Sequence, residues 1–91
     1  MLGFQVTVFG KVQKVWFRKY TQEKATELNL TGFVMNLQNG SVFLEVFGQS
    51  ANMNKMLVWL ETEGSPLSKV EKIDLKEIVP VSTYKNFSIK R

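Results

Sequence analysis

An Asn39-Gly40 pair lies between two strand-like runs rich in apolar residues, 33–37 and 41–47. Asn-Gly adopts the positive φ angles of a tight turn with little strain, so this pair between two such runs is the strongest short-range sign of a β-hairpin. The sequence changes to helical spacing both before and after the hairpin. The fold must therefore place a central hairpin between two helices.

The two flanking segments carry apolar residues at the spacing of amphipathic helices. The first predicted helix spans 18–30, and its shared face consists of Thr21, Ala25 and Leu28. The apolar stripe of the second predicted helix consists of Met53, Met56, Leu57 and Leu60. Ser50 or Asn52 is the predicted N-cap of this second helix, because both residue types cap helices well.

Strand-like runs precede the first helix and follow the second. Residues 4–9 alternate, residues 69–79 form a longer run that ends at Pro80, and a short run covers 86–90. The predicted face of the longer run consists of Ile73, Leu75 and Val79. The order βαββαβ with a short terminal strand is the split βαβ arrangement of α+β, ferredoxin-like folds. We expect residues 1–91 to form one domain, an antiparallel sheet with two helices on one face.

The composition excludes several kinds of chemistry. Histidine and cysteine are absent, and the only aspartate is Asp74. Nucleophilic catalysis by His or Cys, a zinc site with its usual ligands and a two-metal centre of grouped carboxylates are therefore excluded. We expect no metal and no cofactor. The longest apolar runs are too short to cross a membrane, so we expect no membrane partner and predict a monomeric, cytoplasmic protein.

The basic side chains of the first quarter create a local excess of positive charge. Lys11, Lys14, Arg18 and Lys19 are the only charged side chains in residues 1–22, whereas the remainder balances eight basic against eight acidic side chains. They surround the predicted turn from strand to helix, where backbone N–H groups lack partners at the positive end of the helix dipole. The turn is predicted to bind inorganic phosphate or another small anion, with chance clustering of surface lysines as the alternative.

Residues 10–18, GKVQKVWFR, are similar to the signature of the acylphosphatase family: glycine, a variable residue, Val-Gln-Gly-Val, a variable residue, an aromatic residue and arginine. The matching positions are Gly10, Val12, Gln13, Val15, Phe17 and Arg18. A second match, Gly-Phe-Val-Met-Asn, covers 32–36, where the family has its catalytic asparagine. Further similarity covers 20–23, 64–66 and 86–89. The chain therefore resembles an acylphosphatase over essentially its whole length.

The resemblance implies hydrolysis of the carboxyl-phosphate bond of small acyl phosphates, without a metal or a covalent intermediate. It implies that Arg18 binds the phosphoryl group and that Asn36 holds the attacking water. The phosphate cradle that it implies consists of the backbone N–H groups of Val12, Gln13, Lys14, Val15, Trp16 and Phe17.

The chemistry of the two side chains fits these implied roles. The planar guanidinium of Arg18 can bind two phosphate oxygens at once. The amide of Asn36 can only orient water by hydrogen bonding, which leaves proton removal to a phosphate oxygen of the substrate. Without the resemblance, a residue at a strand end that satisfies a turn is the simpler interpretation of Asn36.

Lys14 departs from the signature, which has glycine at this position. Glycine can serve a backbone geometry there that a side chain disfavours, and a non-glycine residue at positive φ costs about 1–2 kcal/mol. Either Lys14 accepts this strain and adds a cation beside the phosphate, or the peptide turns away and one N–H donor is lost. The sequence thus predicts a weakened enzyme or a cradle that an anion must order, with a non-catalytic phosphate-binding module as the alternative.

Aromatic residues of the hairpin leave a second alternative open. Phe43 and Phe47 share one strand face, and Phe9 has the matching parity on the first strand. If the helices cover the opposite face, these rings would lie on an open sheet, as in RNA-recognition modules. The basic residues of such a motif are missing and Glu45 lies on the strand. We therefore expect no nucleic-acid partner and favour a role in packing or dimer contact.

Overall fold

The computed structural model describes residues 1–90. Its elements in chain order are β1 (Leu2–Lys11), α1 (Phe17–Glu27), β2 (Thr31–Asn36), β3 (Val42–Gly48), α2 (Ser50–Thr62), β4 (Lys69–Ile78) and β5 (Phe87–Lys90). The strands form one sheet in the order β4-β1-β3-β2-β5. All neighbours are antiparallel except β5, which is parallel to β2. The predicted α+β, ferredoxin-like fold is confirmed.

The core lies between the sheet and the two helices. Six side chains of the three interior strands are completely buried and face the helices: Val6, Val8, Val34, Val42, Leu44 and Val46. The predicted helix faces meet them, since Thr21 and Ala25 of α1 and Met53, Met56 and Leu60 of α2 are also buried. Trp59 adds to the α2 face, whereas Leu57 is only partly buried against the core.

The hairpin forms where Asn39-Gly40 predicts it. Gly40 has φ +91°, a value that favours glycine, and the side-chain oxygen of Asn39 accepts a hydrogen bond from the backbone N–H of Ser41 at 3.0 Å. Leu37 N–H donates to the carbonyl of Ser41 at 2.9 Å and closes the turn. Strand β2 therefore ends at Asn36, beside the turn.

The predicted cap of α2 is wrong. The N-cap residue is Gln49, with extended backbone angles (φ −73°, ψ 150°), and no side chain caps the helix. Because β3 ends at Gly48 and the chain turns into the helix within one residue, Ser50 is already helical and Asn52 lies inside the first turn.

The predicted apolar face of the fourth strand forms only in part. Ile73 packs against the core, but Leu75 is 52% exposed. Val79 lies beyond the end of β4 and is 83% exposed. Strand β4 is at one edge of the sheet, so the helices do not cover its full length.

The sheet face opposite the helices is not an open row of rings. Tyr84, from the β4–β5 connection, stacks on Phe47 with ring centroids 5.8 Å apart and also contacts Phe33. Phe47 is consequently 1% exposed. Phe33 is further engaged by the Phe43 ring and by the ammonium of Lys90. These contacts favour packing over base stacking as the role of the hairpin phenylalanines.

Candidate active site

The turn between β1 and α1 has a backbone of alternating hand. Lys14 and Trp16 are left-handed, with φ 62° and 63°, whereas Val15 between them has no positive φ. Alternation of this kind directs successive backbone N–H groups toward one side and forms an anion-binding concavity. The turn also leads directly into α1, whose dipole adds positive potential at its first residue.

The N–H groups of this turn are free of partners. Within residues 1–90, no backbone carbonyl accepts a hydrogen bond from the N–H groups of Gln13 to Phe17. Unpaired donors of a helix start are usually satisfied by a capping side chain, water or a ligand. No side chain of the described residues, 1–90, caps α1. The turn therefore presents a set of donors that an anion can satisfy together.

Two side chains fix the turn from the outer side. Gln13 Nε2 donates to the carbonyls of Leu37 and Ser41, at 2.7 and 2.9 Å, and ties the turn to the β2–β3 hairpin. The buried hydroxyl of Ser65 donates to the carbonyl of Val15 at 2.7 Å. These hydrogen bonds use the side chain of Gln13 and the carbonyl of Val15. The backbone N–H groups of the turn therefore remain available to a ligand.

A cleft of about 410 Å³ opens beside the turn. The residues that line it are Val12, Lys14, Trp16, Phe17, Arg18, Lys19, Asn36 and Ile89. Three of these side chains are cations, and no carboxylate lines the cleft in the part of the chain that the structure describes. Arg18 Nη1 donates to the carbonyl of Lys90 at 3.4 Å, a long and solvent-exposed hydrogen bond that places the guanidinium near the end of β5. The electrostatic field of the cleft therefore favours an anion.

Asn36 supplies an amide to the same cleft. Its oxygen Oδ1 is buried and has no hydrogen-bond partner among residues 1–90. A buried amide oxygen without a partner is uncommon, because such a group loses its hydrogen bonds to water without replacement. The hydrogen bond that holds the nearby turn comes from Asn39 instead. The simpler interpretation of Asn36, as a residue that satisfies a turn, therefore has no support from its side-chain oxygen.

Known proteins match this sequence and fold closely. The acylphosphatase family model matches residues 4–89. The chain belongs to the acylphosphatase family. Acylphosphatase-1 of Xenopus laevis is 42% identical over 84 residues, which cover 90% of this chain and 85% of that protein. The acylphosphatase of Ligilactobacillus salivarius is 37% identical over 89 residues, 98% of both chains.

The structural comparison agrees with the sequence match. The crystal structure of acylphosphatase from Bacillus subtilis superposes with a TM-score of 0.95 over all of both chains, at 32% identity. The family prediction is confirmed, and this chain is an acylphosphatase, a hydrolase of acyl phosphates. Neither helix within residues 1–90 has the length and hydropathy needed to cross a membrane.

Six of the eight predicted site residues line the cleft of this acylphosphatase. These are Val12, Lys14, Trp16, Phe17, Arg18 and Asn36. Gln13 and Val15 do not line it; the Gln13 amide is bonded to the hairpin, and the side chain of Val15 is buried, as are those of Val12 and Phe17. Both still contribute an unpaired backbone N–H group.

Sequence analysis did not assign Lys19, Ile89 or Ser65 to the site. Lys19 was visible as part of the basic cluster. Ile89 reaches the cleft because β5 pairs in parallel with β2, and Ser65 reaches Val15 across 50 positions of sequence. Both residues lie in the segments 64–66 and 86–89 that are similar to the family, but their contacts with the site depend on tertiary packing.

Of the two predictions for Lys14, the structure has the first, in which the residue accepts a strained backbone and adds a cation. It keeps the left-handed conformation, its N–H remains with the unpaired donors, and its side chain lines the cleft. The substitution of the family's glycine therefore adds a cation beside the turn at a cost of about 1–2 kcal/mol in backbone strain.

The strain and the charge of Lys14 can be separated by two variants. We expect Lys14→Gly to be more stable than Lys14→Ala by about 1 kcal/mol, because only alanine retains the left-handed strain. Both variants lose the cation, so both are expected to raise the KM for an acyl phosphate by about 2- to 5-fold relative to the parent. Urea unfolding and initial rates measure the two effects. Equal stability of the glycine and alanine variants would contradict the strain at this position.

The Gln13 side chain is expected to act on catalysis by positioning the turn against the hairpin. Gln13→Leu removes two hydrogen bonds and is expected to lower the free energy of unfolding by about 1–3 kcal/mol and kcat by about tenfold. Gln5→Leu is the matched control, since Gln5 Nε2 bonds the side chain of Glu45 between β1 and β3, away from the cleft. Unfolding curves and steady-state kinetics compare the two, and equal kcat values in both variants would count against a positioning role.

Proposed function

We propose that this protein hydrolyses the carboxyl-phosphate bond of small acyl phosphates by direct attack of water on phosphorus, without a metal ion. The products are a carboxylate and inorganic phosphate. The supporting observation is that the turn with the unpaired N–H groups of Gln13 to Phe17 adjoins a cleft that Arg18 and Asn36 line.

The phosphoryl group would bind between the turn and Arg18. Backbone N–H groups and a guanidinium both form charge-assisted hydrogen bonds to phosphate oxygens. In the transition state, charge spreads over the three non-bridging oxygens, and donors that are already fixed stabilise it without further reorganisation. Ser65 and Gln13 hold the turn, so its backbone donors are fixed before substrate binds.

The attacking water would be held by Asn36. Asn36 lines the cleft, and a hydrogen bond between its amide and the water would direct a lone pair of the water oxygen toward phosphorus. The new P–O bond forms as the bond to the acyl oxygen breaks, and the electron pair leaves with the carboxylate. The proton of the water passes to a phosphoryl oxygen of the substrate, since an amide cannot take it.

The proposed reaction needs no general acid from the cleft. A carboxylic acid has a pKa near 4, so the departing carboxylate is stable without protonation and no general acid is required. The donor set likewise suits an anion rather than a metal cation: within residues 1–90, no three His, Cys, Asp or Glu side chains come together as a metal site.

Isotope labelling tests the proposed point of attack. Benzoyl phosphate hydrolysed in H₂¹⁸O, with EDTA present, is expected to give phosphate that carries the label and benzoate that carries none, as read by mass spectrometry. Attack on the carbonyl carbon would instead place the label in benzoate, and that result would contradict water attack on phosphorus.

A phosphate-binding module with little catalysis is the second candidate, favoured by the cation that Lys14 adds. Calorimetric titration with inorganic phosphate distinguishes the two candidates when combined with the rate. Tight phosphate binding without turnover of benzoyl phosphate would support the module, whereas turnover supports the enzyme.

A further inference from the structure

Trp16 is placed in a way that local folding does not explain. It is 72% exposed, although a tryptophan gains most when its large apolar surface is buried. It has φ 63°, a conformation that disfavours bulky side chains and suits glycine or asparagine. It is also the N-cap residue of α1, yet its side chain makes no capping hydrogen bond. A residue that breaks several local preferences without compensation in the fold indicates a functional position.

The cleft offers such a function. Its cationic side chains come from Lys14, Arg18 and Lys19, whereas Trp16 and Ile89 contribute apolar surface. Its volume of about 410 Å³ exceeds what one phosphoryl group requires and lies in the range of small-molecule sites. An acyl phosphate likewise has two different ends, an anionic phosphoryl group and an organic acyl group. When its phosphoryl group occupies the N–H groups of Gln13 to Phe17, the acyl group extends along the remaining wall.

We propose that the indole of Trp16, together with Ile89 of the same cleft, forms the acyl subsite and favours aromatic acyl groups over acetyl. The inference rests on the proposed function, since it assumes that the phosphoryl group occupies the turn. A planar aroyl group can stack on an indole face and withdraw apolar surface from water, whereas an acetyl group offers only one methyl. The subsite therefore selects aroyl phosphates, the mixed anhydrides of phosphate and aromatic carboxylic acids.

The ratio of kcat/KM for benzoyl phosphate to kcat/KM for acetyl phosphate measures this selection. Trp16→Ala is expected to lower the ratio about tenfold, because loss of stacking affects only the aromatic substrate. Any effect of the substitution on the phosphate turn changes both rates by the same factor and cancels in the ratio. Trp16→Phe retains an aromatic face and is expected to keep most of the selectivity.

Tyr20→Ala provides the matched control. Tyr20 is another exposed aromatic residue, one helical turn further along α1, and it does not line the cleft. Its replacement is expected to leave the substrate ratio within about twofold of the parent. A ratio that is unchanged in Trp16→Ala, or lowered equally by Tyr20→Ala, would overturn the acyl subsite.

A binding experiment separates this inference from the proposed function. Phenylphosphonate and methylphosphonate are titrated calorimetrically into the parent and into Trp16→Ala. We expect the parent to bind phenylphosphonate about tenfold more tightly than methylphosphonate. Trp16→Ala is expected to bind the two phosphonates with similar affinity. If the parent hydrolyses neither acyl phosphate but keeps this Trp16-dependent preference, the proposed function fails while the aromatic subsite stands. If the parent binds both phosphonates equally, the subsite is refuted whatever the rates show.

Discussion

Arg18→Ala is expected to lower kcat/KM for benzoyl phosphate by about 1,000-fold or more, the largest effect of any single substitution in this protein. Among residues 1–90, Arg18 is the only arginine that lines the cleft. In the proposed mechanism, its removal takes away a charge-assisted donor pair from the phosphoryl oxygens, whose interaction with the enzyme strengthens in the transition state. Steady-state kinetics measure the loss, and unfolding curves show whether the variant remains folded.

Two further variants define what Arg18 contributes. Arg18→Lys keeps the charge but lacks the planar pair of donors, so we expect it to recover only a small part of the lost rate. Lys24→Ala removes a cation from the same helix, where Lys24 pairs with Glu27 at 3.2 Å away from the cleft. It is expected to stay within about twofold of the parent. Full activity in Arg18→Lys would show that charge alone accounts for the effect.

Asn36→Ala is expected to lower kcat by about 100- to 1,000-fold while it leaves the binding of inorganic phosphate nearly unchanged. In our account Asn36 positions the water and not the phosphoryl group. The fold should tolerate the change, because Oδ1 of Asn36 has no hydrogen bond to lose within residues 1–90. Rates of benzoyl phosphate hydrolysis and calorimetric titration with phosphate provide the two readouts.

The neighbouring asparagine of the hairpin is the control for this variant. Asn39→Ala removes the hydrogen bond to the N–H of Ser41 and is expected to lower the free energy of unfolding by about 1 kcal/mol without a loss of kcat. Should Asn36→Ala instead weaken phosphate binding as strongly as it lowers kcat, Asn36 would be a ligand of the phosphoryl group and not of water.

The architecture was accessible from sequence because its signals are local. Asn39-Gly40 forms the hairpin, and the apolar spacing at Thr21, Ala25 and Met53 gives the buried helix faces that the structure has. The burial of residues on the edge strand was harder to predict from sequence. Leu75 has the alternation of a buried residue but lies on an edge strand, and exposure there depends on how far the helices extend.

Several residues of the site could be predicted because the sequence contains family motifs. Arg18 and Asn36 were located through motifs at fixed spacing, and the strained position of Lys14 through the glycine that it replaces. The contacts that hold the site were not predicted, because Ser65 and Ile89 reach it only through tertiary packing. The side chain of Gln13 was not expected to bond the hairpin, although the residue itself belonged to the predicted cradle.

Hydrolysis of benzoyl phosphate by the purified protein in the presence of EDTA tests the proposed mechanism most directly. We expect turnover that EDTA does not reduce and that Arg18→Ala and Asn36→Ala lose while their unfolding transitions remain cooperative. The absence of turnover in both the parent and Lys14→Gly, with the native fold intact, would contradict catalysis by this cleft. Turnover that EDTA abolishes would contradict its independence from metal.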